Sequence, residues 1–129
     1  MKLRLFPLLA CLVGFSSIAT TGCVTAVVAS GAVGTVAYVR GALRTNVDAN
    51  VQRTAKAADR AVASLGLVAV SSKSDSLTGE IIARTSDDTR VVIALRSITP
   101  TTTQIDIRVG TFGDRNFSNR ILDEIKGRL

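Results

Sequence analysis

The chain has 129 residues, with 16 Lys and Arg against 10 Asp and Glu, two cysteines, no histidine and no tryptophan. Without histidine, and with so few thiols, the common nucleophile–base pairs and soft-metal centres lack the side chains that build them. Scattered arginines with few aromatics argue against a nucleic-acid surface, which needs clustered basic residues interleaved with stacking rings.

The first element is an export signal. Lys2 and Arg4 precede an apolar run, Leu5 to Phe15 (LFPLLACLVGF), that is too short to span a bilayer, and small polar residues follow. Thr21-Gly22-Cys23 puts small residues directly before a cysteine, as a lipoprotein signal requires if the thiol is to be diacylated and the chain cleaved on its amino side. Thr20 stands where such signals usually carry leucine. Two rivals exist: ordinary cleavage after Ser17-Ile18-Ala19, leaving Cys23 as an unpaired exported thiol, and retention of the run as an anchor. An odd cysteine needs an explanation, and lipidation supplies one. Residues 1–22 are therefore read as a lipoprotein signal peptide and Cys23 as the acylated N-terminus, with Cys11 discarded. Val24, rather than aspartate, follows Cys23, which points to the periplasmic side of the outer membrane.

Removal of residues 1–22 leaves 107 residues, enough for one modest core and a single domain. Lys2 and Arg4 leave too, so 14 basic residues face 10 acidic ones, a mild positive charge suited to an anionic envelope surface. From Val24 to Val39 (VTAVVASGAVGTVAYV) the chain is apolar but small. Ala26, Ser30 and Gly34, and Gly31 with Thr35, are four apart, a spacing that permits close helix contact in lipid. Gly31 and Gly34, and a length short of a bilayer, favour a membrane-proximal tether over residues 23–37.

The domain is expected over residues 38–129. A short edge strand runs from Tyr38 to Val47, and Asp48 offers an N-cap for the helix that follows. Val47, Val51, Ala55, Ala58, Val62 and Leu65 recur at three and four, with Arg53, Lys56, Asp59 and Arg60 facing away, until Gly66 ends the helix. Four strand-like runs come next: Leu67 to Ser71, Leu77 to Thr85, Arg90 to Ser97 and Thr102 to Val109. Asp87-Asp88 and Thr99-Pro100 are turn chemistry, so these strands form a meander. Leu77, Ile81, Ala83, Val91, Ile93, Leu95, Ile105, Ile107 and Val109 alternate onto one inward face. Asp114 then caps a last helix whose stripe is Phe117, Ile121, Leu122, Ile125 and Leu129. The expected fold is α+β, a two-layer domain in which an antiparallel β-meander is packed on one face by two helices, in the order β-α-β-β-β-β-α.

Tyr38-Val39-Arg40-Gly41-Ala42-Leu43, Asp75-Ser76-Leu77-Thr78-Gly79 and above all Arg108-Val109-Gly110-Thr111-Phe112-Gly113-Asp114 give the chain a resemblance to a family of small bacterial lipoproteins, domain of unknown function 3568. The resemblance runs from the cysteine signal to the C-terminus. It implies an envelope lipoprotein and carries over no catalytic residue. The order of elements is also similar to helix-grip domains of outer-membrane assembly lipoproteins, an analogy of fold alone.

Candidate sites are few. Asp87 with Asp88 reads as a solvated turn and Asp123 with Glu124 as the exposed side of the last helix, so neither carboxylate pair is taken as catalytic. Gly110 and Gly113 could aim backbone N–H groups at an anion near Arg108, but glycines that ease the passage from strand to helix are favoured. Tyr38 reads as a packing residue. Alternation turns Ile82, Arg84, Val92, Ala94, Arg96, Asp106 and Arg108 outward, a small apolar centre rimmed by charge, which is the composition of a modest protein contact surface. A plain wet face, with cross-strand pairs such as Glu80 or Asp106 with Arg96, is the favoured reading of the same residues, and the contact surface is its rival. No enzyme, cofactor, metal or nucleic-acid partner is expected. The sequence reads as a membrane-anchored, non-catalytic binding module that meets another envelope component. A carrier of small ligands or lipid, or a small enzyme, with a cavity between sheet and helices is the alternative.

Overall fold

A computed structural model describes residues 35–129. The signal peptide, Cys23 and the tether up to Gly34 lie outside the described residues. The elements are β1 (Ala37–Val39), β2 (Ala42–Val47), α1 (Val51–Ser64), β3 (Val68–Ser74), β4 (Thr78–Arg84), β5 (Arg90–Thr99), β6 (Thr102–Val109) and α2 (Arg115–Lys126). This is the expected α+β order, with the first strand segment folded into a hairpin. Arg40 (φ 51) and Gly41 (φ 80) are both left-handed, the geometry of a two-residue turn matched to strand twist.

The six strands form one sheet in the order β1-β2-β6-β5-β4-β3, every neighbouring pair antiparallel. Strands β3 to β6 are the expected meander, and β2 extends it by pairing beside β6. The chain must then cross from β2 to β3, a lateral distance of about 19 Å over four strand spacings. The 14-residue α1, about 21 Å long, makes that crossing over β6, β5, β4 and β3. Its buried surface is mostly Ala55, Ala57, Ala58 and Ala61, so the helix backbone lies close to the sheet.

Both helices cover one face. Ile81, Ala83, Val91, Ile93, Leu95, Ile105, Ile107 and Val109 point into the core with Val51, Val62, Ile121, Leu122 and Ile125. Phe117, Tyr38, Leu65 and Leu129 pack at its margin. Glu124 in α2 accepts a hydrogen bond from the Ser64 hydroxyl at the end of α1 (2.8 Å) and pairs with Arg128, and these two partners hold its carboxyl below the usual range.

Two local expectations are corrected. Asn50, not Asp48, caps α1, its Oδ1 accepting from Arg53 N at 2.8 Å. The chain stays engaged with β6 beyond Asp48: Val47 pairs with Thr103, whose hydroxyl donates to the carbonyl of Ala49 at 2.7 Å, so the helix cannot start earlier. Leu77 does not join the core and is 65% exposed. The Asp75 carboxylate accepts from the backbone N–H groups of Leu77 (2.7 Å) and Thr78 (2.8 Å), which closes the turn around Leu77 before the ladder of β4 begins. The same bonds, from Thr78 first and then Leu77, lower the pKa of Asp75 from its ordinary value.

Candidate functional site

The face of the sheet turned away from the helices carries all seven residues read from the sequence as a contact surface. In one row across the sheet Ile82 pairs with Val92 and Val92 with Arg108; in the next, Ala94 pairs with Asp106. Arg96 lies between Thr78 and Gln104, and Arg84 sits directly opposite Arg90. Ile82, Val92, Ala94 and Asp106 are half-buried, while Arg84, Arg96 and Arg108 are exposed.

The charge pairing differs from the expected one. Asp106 is held by Arg44 of β2, Nε to Oδ1 at 2.6 Å and Nη2 to Oδ2 at 3.4 Å, and also accepts from Gln104 Nε2 at 3.1 Å. That hydrogen bond, and then the nearby charge, raise the pKa of the Arg44 guanidinium. Arg96 is not its partner: Arg44 stands directly opposite Asp106 in the ladder, whereas Arg96 lies opposite Gln104, two residues along β6. Glu80 is opposite Lys73 and Ala94 and forms no ion pair among the described residues. Arg84 pairs instead with Asp88 of the following turn at 3.0 Å.

The loop after β6 has left-handed glycines at Gly110 (φ 69) and Gly113 (φ 81). Gly113 lies against the backbone of Gly41 and the Tyr38 hydroxyl, so closely that a Cβ there would overlap both. The converse approach is also tight, though less so: a Cβ on Gly41 would fall 2.7 Å from the Phe112 carbonyl oxygen. Two turns far apart in sequence thus meet backbone to backbone. The start of α2 is already occupied by a carboxylate, Asp114 Oδ1 accepting from Phe117 N at 2.9 Å. Gly110 N donates to the Arg90 carbonyl at 2.8 Å, and Arg108 Nη2 donates to the Arg40 carbonyl. With these groups engaged, the geometry supports a backbone role for Gly110 and Gly113 over an anion cradle. Tyr38 packs under Arg115, whose guanidinium lies 4.9 Å from the ring centre.

Sequence reasoning missed two features of this face. Arg44 and Lys73 extend its charge onto β2 and β3, and only the strand order puts them there. Phe112 stands 93% exposed beside Arg108 and Arg90, along a groove of about 620 Å³ floored by Val92. A lone phenylalanine between glycines has no periodicity to place it, and its flanking Gly110 and Gly113 were the only signal that the loop would stand clear.

No group of histidine, cysteine or acidic side chains that could hold a metal occurs among the described residues, and none of their helices is long and apolar enough to cross a membrane. No curated protein matches the chain. The family model described as "Protein of unknown function (DUF3568)" matches residues 7–128, from within the N-terminal apolar run to two residues past α2, and the chain belongs to that family.

Proposed function

We propose that the chain is exported, acylated at Cys23 and held on the periplasmic side of the outer membrane, where its α+β domain acts as a non-catalytic module that binds another envelope component. The N-terminal reading is supported by Thr21-Gly22-Cys23 after a short apolar run. The observation that carries the binding reading is the uncovered sheet face, where Ile82, Val92 and Ala94 lie half-buried inside a rim of Arg84, Arg96, Arg108 and Asp106. An apolar centre with a charged rim excludes water on contact while the rim sets orientation.

The test is crosslinking of the anchored protein in its membrane. Ile82→Glu combined with Val92→Glu should leave the fold intact and abolish a specific crosslink made by wild type. Survival of every crosslink, with melting unaltered, would remove this face as the binding surface. Mass spectrometry of the mature N-terminus should find an acylated Cys23; an unmodified terminus at Thr20 would end the lipoprotein reading.

A further inference from the structure

One end of the sheet carries the Arg40-Gly41 turn, the turn between β4 and β5, and the loop Gly110 to Asp114. Phe112 projects from that loop and is the most exposed of the large apolar side chains among the described residues, at 93%. The groove beside it is lined by Arg90, Arg108 and Val92, and Gly110 adds no side chain to fill it. Arg84 and Arg90 are direct cross-strand partners, a like-charge placement that is unfavourable unless an anion lies near. Asp88 engages Arg84, and Asp114 is turned into the cap of α2. Arg90 and Arg108 take part in none of the ion pairs among the described residues. The remaining carboxylate of this end, Asp87, is exposed in the turn.

We propose that this end of the domain docks on an anionic lipid surface, with Phe112 entering the boundary between headgroups and acyl chains and Arg90 and Arg108 resting over lipid phosphates. The proposal rests on the membrane-anchored reading above. A single ring on a glycine-flanked tip, beside two cations that have no carboxylate partner among the described residues, Arg108 giving one N–H to the Arg40 carbonyl and keeping its charge, matches what an amphipathic surface offers: apolar depth at one point and anionic charge around it. The arginines come from two strands, and a plane of phosphates satisfies them without any fixed register. Chain length permits the contact. Cys23 and Thr35 are twelve Cα steps apart, a reach of at most about 40 Å, while β5, the longest strand, spans about 34 Å. Docking here leaves Ile82, Ala94, Arg96 and Asp106 open for a partner and fixes which way they face.

The chain contains no tryptophan, so Phe112→Trp is a single fluorescent reporter at the proposed contact. The full-length acylated protein carrying this change would be reconstituted in vesicles of phosphatidylcholine, with and without phosphatidylglycerol. A blue shift of emission and quenching by brominated acyl chains are expected with phosphatidylglycerol, and their loss when Arg90→Gln and Arg108→Gln are added. Solvent-like, unquenched emission on phosphatidylglycerol vesicles overturns the proposal, and so does a shift that is equal on pure phosphatidylcholine and indifferent to the arginines. Flotation on pure phosphatidylcholine vesicles, where docking is not expected, reads the anchor separately: a chain that floats there but shows no shift with phosphatidylglycerol refutes docking alone, whereas a chain that fails to float there yet shows the shift with phosphatidylglycerol refutes the anchor and keeps the docking.

Discussion

Arg44 and Asp106 face each other across β2 and β6, with Arg44 Nε donating to Asp106 Oδ1 at 2.6 Å, and they join segments 62 residues apart in the chain. The pair lies on the open face, with the side chains 48% and 27% exposed, so solvent weakens its attraction. A double-mutant cycle with Arg44→Gln and Asp106→Asn should give a coupling of about 0.5–1 kcal/mol, decreasing with added salt. Denaturant melts at low and high ionic strength measure it. A coupling of zero at low salt would show that this ion pair adds nothing to what holds β2 against β6.

Gly113 and Gly110 should differ in what they tolerate. Both have positive φ, a conformation that costs a β-branched residue about 1–3 kcal/mol. At Gly110 a Cβ would meet only Thr89 Cγ2, at 3.4 Å, whereas at Gly113 it would collide with the Gly41 backbone and the Tyr38 hydroxyl. Gly113→Val is therefore expected to destabilise the domain beyond the conformational term by roughly another 1–3 kcal/mol, as overpacking does. Thermal melts of the two variants rank them; equal losses would contradict the close contact between the two turns.

Ser118 is fully buried in α2, and its hydroxyl has no hydrogen-bond partner among the described residues. A buried polar atom left unpaired costs free energy that an alanine does not. Ser118→Ala should leave stability unchanged or raise it by up to about 1 kcal/mol. A clear loss, read as a lower melting temperature, would reveal a partner for the hydroxyl, such as a trapped water.

Asp75 and Glu124 both have their pKa depressed by folding, Asp75 by the Thr78 and Leu77 amides and Glu124 by Ser64 and Arg128. A depressed carboxylate contributes stability above its unfolded pKa and loses that contribution as pH falls through the folded one. Melting temperature should thus decline as pH drops below the ordinary carboxylate range, near 4. Glu124→Gln and Asp75→Asn, each slightly less stable at neutral pH, should show a shallower acid decline. Parallel curves for wild type and variants would assign the acid sensitivity to other groups.

Much of this architecture was legible because its signals are local and repeated. Ile81 and Ala83, then Val91, Ile93 and Leu95, then Ile105, Ile107 and Val109 alternate over consecutive runs, and each run is separated from the next by a short polar turn; pairing neighbours in sequence is then the cheapest way to bury one face. Asp114 could be read as a cap because its partner, Phe117 N, is three residues away. The same alternation that put the core inside put Ile82, Val92, Ala94 and the arginines outside.

What the residues alone did not decide lies where distant segments meet. Asp48 and Asn50 are equally able caps in isolation, and the choice between them follows from Thr103 holding the chain at Ala49, 54 residues away in sequence. Leu77 looks like a core residue by alternation, but its amide is taken by Asp75 and the side chain is left in water. Arg44 meets Asp106, and Gly113 meets Gly41, only because β2 lies beside β6. Residue type and spacing specify which side chains avoid water and which bonds close over three or four residues. Which far segment fills a given neighbouring place depends on the packing of the whole sheet against α1 and α2, and that exists only once the chain has folded.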